Sequence, residues 1–225
     1  YAAAYVDCKA ISWTGGNGHP LGLGDMSEAN GTIPGTSDGS PGHPPGTHEN
    51  GADIDMAYYQ NTGANNYLRS VCDHTVNGVD QYHCVGEPYL LDLWRNALFM
   101  GALFDSPMTR VIGVDGKIGS LVTAALQVLC ADGWLPESNC TTVANYSLAY
   151  ETTNTGQGWY NFHHHHMHLS LWGIGNAMQA SPEIPCLTKD CSANDFLEHL
   201  KMHETPGHGY NKKTNFTWLD AIPDF

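Results

Sequence analysis

The residues most able to do chemistry lie in two separated clusters. One is His163-His164-His165-His166-Met167-His168-Leu169-Ser170-Leu171, and the other is His48-Glu49-Asn50-Gly51-Ala52-Asp53-Ile54-Asp55. In an extended strand successive side chains alternate between faces, so His166 and His168 share one surface while Met167 and Leu169 pack behind it. Upstream, Asp55 follows His48 by seven positions across a Gly-bearing loop, which lets the chain fold His48 back beside Asp55. Two imidazole nitrogens and one carboxylate oxygen, from His48, Asp55 and His168, make a three-ligand set suited to one catalytic Zn2+ per chain, with the fourth position open to water. His166 is then left to act on substrate. Asp53 is expected to support the strand or a neighbouring imidazole, because a ligating histidine donates its other N–H to an outer oxygen. For His43 the rim and the pocket are equally open readings.

These motifs resemble those of the zinc metallopeptidase group that includes lysostaphin, the D-Ala-D-Ala peptidases and the hedgehog fold. Within it the chain looks most like the penicillin-insensitive murein endopeptidases. Gly24-Asp25, then Gly42-His43, then His48-x-x-Gly51-x-Asp53-Ile54-Asp55, and finally His166-x-His168 follow that family's order and content. The resemblance covers roughly residues 24–55 and 162–171. It implies metal roles for His48, Asp55 and His168, catalytic roles for His166 and His163, and as substrate a peptide crosslink of the bacterial cell wall. Two departures stand out: four residues, Pro44 to Thr47, separate Gly42-His43 from His48, where about two are expected, and Ser170 stands where a basic residue often follows the His-x-His.

Blander readings compete. Four consecutive histidines suit an expression tag or a low-complexity metal tract, but a tag belongs at a terminus, and this run leads into an alternating strand pattern. His48 with Asp55 alone suits an ordinary loop and a capped strand; agreement in order among separate motif pieces is what favours metal. Zinc on such a set lowers the pKa of its bound water and polarises a carbonyl. His166 is expected to exchange protons, its pKa lying near working pH. The alternative is a secreted binding or assembly protein that keeps the fold and the metal, polymerising or docking through Cys8, the acidic surface or the C-terminal region. A non-peptidase metal hydrolase comes third.

At 225 residues the chain is long enough for one well-buried core, and one domain is expected, with an unmatched extension from about residue 180. Nine Lys+Arg against 23 Asp+Glu give a formal charge of −14, which repels nucleic-acid backbones and anionic bilayers. No apolar run is long enough to cross a bilayer. Seven cysteines form three close pairs, Cys72/Cys84, Cys130/Cys140 and Cys186/Cys191, leaving Cys8 over, free or paired with another chain. Such pairs suit an oxidising compartment, so the chain is expected to be secreted, periplasmic or at a cell surface. Sequons at Asn30, Asn139, Asn145 and Asn215 are compatible with glycosylation. The absence of an initiating Met and of an apolar leader is read as a mature product or a segment.

The elements that must position these residues follow from periodicity. Residues 2–13 are read as holding a short strand, 15–51 as a long ordered loop, 53–59 as a strand, and 60–87 as a loop pinned by Cys72 and Cys84. Leu90, Leu91, Trp94, Leu98 and Ala102 predict a helix that ends at Asp105-Ser106-Pro107. A strand over 110–114 precedes a helix over 118–130, with Leu121, Ala124, Ala125, Val128 and Leu129 inward. A strand over 146–151, a turn over 152–158, and a helix over 194–203 complete the pattern, and Trp159-Tyr160 either line the pocket or pack, with packing the preferred reading. The whole is an α+β fold: a central antiparallel sheet with helices packed on one side and long loops around an open metal site.

Overall fold

The computed structural model describes residues 1–10, 13, 16–63, 65–137, 140–141 and 148–172. The C-terminal extension, the helix expected over 194–203, the Cys186/Cys191 pair and the sequons at Asn139, Asn145 and Asn215 lie outside the described residues. The described part is α+β, with three helices, a mixed four-stranded sheet and a two-stranded hairpin.

The chain starts with α1 (Ala2–Lys9), not a strand. Ala2-Ala3-Ala4 favours helix, and Tyr5 and Val6 are buried against α2, with the Tyr5 hydroxyl donating to Trp134 O at 2.6 Å. Helix α2 (Leu93–Leu103) begins where the Asp92 carboxylate accepts the Arg95 N–H at 3.2 Å and pairs with the Arg95 guanidinium at 2.6 Å. Helix α3 (Gly116–Ala131) begins at Asp115, whose carboxylate accepts the N–H of Lys117 at 2.9 Å and that of Cys84 at 2.8 Å. One cap thus serves both the helix and the disulfide loop. The inward face of α3 is turned in part from the expected one: Ala125 and Leu129 are buried as expected, joined by Ile118, Val122 and Leu126, whereas Val128 is exposed.

The large sheet runs β1 (Asp53–Met56), β6 (Met167–Leu171), β4 (Thr109–Gly113), β5 (Leu148–Ala149). β6 pairs antiparallel with β1 and β4, but β4 and β5 are parallel, so the sheet is mixed rather than wholly antiparallel. Asp55 stands opposite His168, and Ile112 opposite Leu169. Because opposed residues share a face, Ile54, Met56, Met167, Leu169 and Ile112 join the core, while Asp53, Asp55, His168, Ser170 and Gly113 lie on the other side.

β1 is shorter than the expected 53–59 strand because its partners change after Met56. Ala57 N donates to Gly22 O, and the buried Asn96 side chain exchanges hydrogen bonds with the Tyr59 backbone at 3.0 and 2.7 Å. The stretch over 16–51 is irregular and is tied to the rest by isolated bridges such as Leu23 to Met56, by backbone hydrogen bonds such as Gly24 N to Asp55 O, and by His48. The disulfides Cys72–Cys84 and Cys130–Cys140 form as expected. Cys8, expected to be left over, is also disulfide-bonded, so it offers no thiol through which copies could link. No helix among the described residues is long and apolar enough to cross a membrane.

Candidate metal centre

Residues more than a hundred positions apart meet on the polar face of β1 and β6. Asp55 Oδ1 lies 3.1 Å from His168 Nδ1 and 3.4 Å from His48 Nε2, and those two nitrogens are 3.1 Å apart. Ligands bound tetrahedrally at about 2.0–2.1 Å from zinc are separated from each other by roughly 3.3–3.4 Å. The triangle therefore has the size of one face of such a tetrahedron. His166 Nε2 is also 3.4 Å from Asp55 Oδ1. All four residues are buried, so the sheet face at this point is covered by the chain around it.

Asp53 holds two of these groups at once. Its Oδ1 lies 3.0 Å from His168 Nε2, and its Oδ2 accepts the backbone N–H of His48 at 3.0 Å. That arrangement assigns the His168 proton to Nε2 and turns the Nδ1 lone pair toward Asp55. His48 itself adopts a left-handed backbone, φ 53°, a conformation uncommon outside glycine that the Asp53 bond stabilises.

The donor set fits a cation. A carboxylate oxygen and two imidazole lone pairs cannot approach to 3.1–3.4 Å without a positive species between them, proton or metal. The proton affinities reflect this demand. Burial disfavours ionised Asp55, but hydrogen bonds from His168 and His48 outweigh it and hold the carboxyl far below its usual range. Burial also lowers the His48 pKa, yet Asp55, Asp53 and Asp25 together raise it above the ordinary value. In contrast, burial pushes His166 down to about 2 and His163 down to about 4, so both rings are neutral at pH 7. His166 thus rests with a lone pair to offer, not with the near-neutral titration expected from sequence. Its Nδ1, like that of His48, has no hydrogen-bond partner. His163 Nδ1 donates to Asn161 O at 2.7 Å, leaving Nε2 as its acceptor.

His43 stands at the rim. Its ring stacks on His48 at 3.7 Å, and its Nε2 lies 3.0 Å from the exposed Asp25 carboxylate. His43, His48 and Asp55 together form a group that could hold a metal ion, as do His74, Asp80 and His164 elsewhere.

Three further residues build the site without having been assigned to it from the sequence. Trp159 lies across Gly113, where any Cβ would strike its ring, and stands 5.3 Å from His163 and 5.7 Å from His168 between ring centroids. It is a wall of the site, not only packing. Glu151 positions it: this carboxylate accepts the Thr155 hydroxyl and the backbone N–H groups of Gln157, Trp159 and Tyr160, which lower its pKa to about 2. Arg110 brings a basic group to Ser170. From the neighbouring strand its guanidinium donates to Ser170 Oγ at 2.5 and 3.0 Å and comes within 3.9 Å of Asp53. A glycine opposite His168 and a basic residue in the next strand were the available signals, but only the β4–β6 register gives them meaning. No family model, curated protein or solved structure matches this chain.

Proposed function

We propose that this protein is a zinc-dependent peptidase, secreted or at a cell surface, that hydrolyses peptide crosslinks of bacterial cell wall. The observation that carries the reading is the triangle of His48 Nε2, Asp55 Oδ1 and His168 Nδ1, with edges of 3.1–3.4 Å. The resemblance of residues 24–55 and 162–171 to the murein endopeptidases supplies the substrate class. When bound, zinc supplies Lewis acidity, making water acidic enough to ionise near neutral pH and withdrawing electrons from a carbonyl.

The chain's own residues divide the remaining work. His48, Asp55 and His168 hold the ion, and Asp53 fixes the tautomer of His168 and the backbone of His48. His166, neutral beside the ligand set and held near pKa 2 by burial, orients the attacking water through its free lone pair and takes up its proton only as negative charge develops beside it, returning that proton to the departing amine. His163, whose Nε2 is not committed by its Asn161 bond, shares the polar side of the cleavage site. Trp159 excludes water from one flank, and Arg110 provides positive charge suited to a peptide carboxylate.

A second reading rests on the 3.4 Å between His166 Nε2 and Asp55 Oδ1, the same distance as for His48. If His166 completes a four-ligand shell, the ion is structural and the protein binds or assembles without hydrolysis. Incubating the purified protein with crosslinked murein peptides, with and without chelator, separates the readings. Chelator-sensitive release of cleaved peptides is expected from the peptidase. Full metal content with no cleavage, combined with metal loss in His166→Ala, would establish the structural site instead.

A further inference from the structure

We propose that His74, Asp80 and His164 form a second divalent-cation site, of the imidazole-rich type that suits zinc, which clamps a disulfide-pinned hairpin to the histidine run. The proposal goes beyond the peptidase reading and does not depend on it. One ligand atom from each of the three residues lies within 4.8 Å of the others.

The hairpin brings its two groups together locally. β2 (Thr75–Val76) and β3 (Val79–Asp80) are joined by Asn77-Gly78, both at positive φ, as a tight two-residue turn requires. This register sets His74 Nδ1 3.0 Å from Asp80 Oδ1, while Tyr82 N donates to the same oxygen at 2.7 Å and orients the carboxylate. The Cys72–Cys84 disulfide closes the base of the unit. Two of the three groups are therefore held in place before any ion binds.

His164 arrives from the other side. Its ring stacks on His74 at 4.7 Å with 25° between planes, and its carbonyl accepts the Val71 N–H at 3.1 Å. The residue is only 6% exposed, and its Nδ1 has no hydrogen-bond partner. A buried imidazole nitrogen without a partner calls for a ligand, and one ring nitrogen of His164 lies within 4.8 Å of ligand atoms of both His74 and Asp80. Two imidazoles with one carboxylate select zinc, copper or nickel over magnesium or calcium, whose shells are built from oxygen.

The site is connected to the first. Ring contacts run from His164 to His165 at 4.7 Å and from His165 to His166 at 4.5 Å, and His166 then reaches Asp55. An ion on His164 would fix the backbone that presents His166 and His168. Zinc titration of the full, metal-stripped chain tests the proposal. Two ions per chain are expected for the wild type and one for His74→Ala, with Asp80→Asn weakening the same ion at least tenfold. His168→Ala should remove the other ion and leave this one, so failure of either site is read separately. A His74→Ala chain that holds as many ions as the wild type, with Asp80→Asn binding every ion as tightly as the wild type, would overturn the proposal whatever the count at the first site; the conservative Asp80→Asn keeps the test valid if His74→Ala misfolds.

Discussion

The two faces of β6 are buried alike and built on opposite principles. Met167 and Leu169 enter a core of Ile112, Leu98, Ile118 and Leu126, where apolar area leaving water is stabilising on its own. One residue away, His168 and Ser170 face carboxylates and imidazoles that are equally hidden from solvent, together with the partly exposed Arg110 guanidinium. Burial there is costly unless every charge and lone pair is answered. The core face explains why the sheet exists; the polar face is tolerated because a cation can satisfy it.

The largest effect should come from removing that cation. With zinc at about a thousandfold excess over its Kd, binding stabilises the native state by about 4 kcal/mol. Thermal unfolding with and without chelator should show the difference in the wild type, and the contribution of this ion should vanish in His168→Ala. Leu169→Ala, on the adjacent residue but the opposite face, should cost roughly 2–5 kcal/mol in denaturant unfolding while metal stoichiometry is retained. If Leu169→Ala also abolished metal binding, the two faces would not be separable.

Asp53→Asn sharpens the comparison. It keeps the shape but weakens the hold on His168 and His48, so metal affinity should fall about 10–100-fold by competition with a chromophoric chelator. A pH titration of the metal-stripped protein should show the cost of the polar face directly. His163 and His164 are held down to about 4 and His166 to about 2 by burial, below the ordinary 6.5. On acidification the unfolded chain therefore takes up protons first. Stability is complete above pH 6.5 and declines below it, down to about pH 4 for the first two and further for His166. His48, with its raised pKa, runs the other way: its contribution is present below pH 6.5 and lost as pH rises through its folded value. His165 is also lowered by burial, so four histidines against one should leave stability falling on the acid side. The smallest effect belongs to Arg110→Gln, a partly exposed pair with Asp53, which should change stability by less than about 1 kcal/mol. Its effect should appear instead as a raised KM for peptides with a free carboxylate.

What was legible in the sequence follows the same division. Period-3.6 apolar spacing located α2 and α3, and alternation in Met167-His168-Leu169 located β6 and the face of each residue. His48, Asp55 and His168 were nameable because their types are rare and chemically demanding. The parallel β4–β5 pair was not legible, since strand direction depends on where a crossover returns. α1 was misread as a strand because its hydrophobic pattern is weak and its burial comes from α2. The hairpin at 75–80 carried an Asn77-Gly78 signal between β-branched residues, yet His74 and Asp80 become a cluster only when His164 packs against them. Trp159 and Arg110 join the site through register with β6 and not through any local motif.

The most direct test of the central claim is the zinc content of the native protein, measured side by side for the wild type and His168→Ala after chelator-free isolation. The account predicts that His168→Ala holds one ion per chain fewer than the wild type. A wild type without metal, or an equal content in the two proteins, would contradict it.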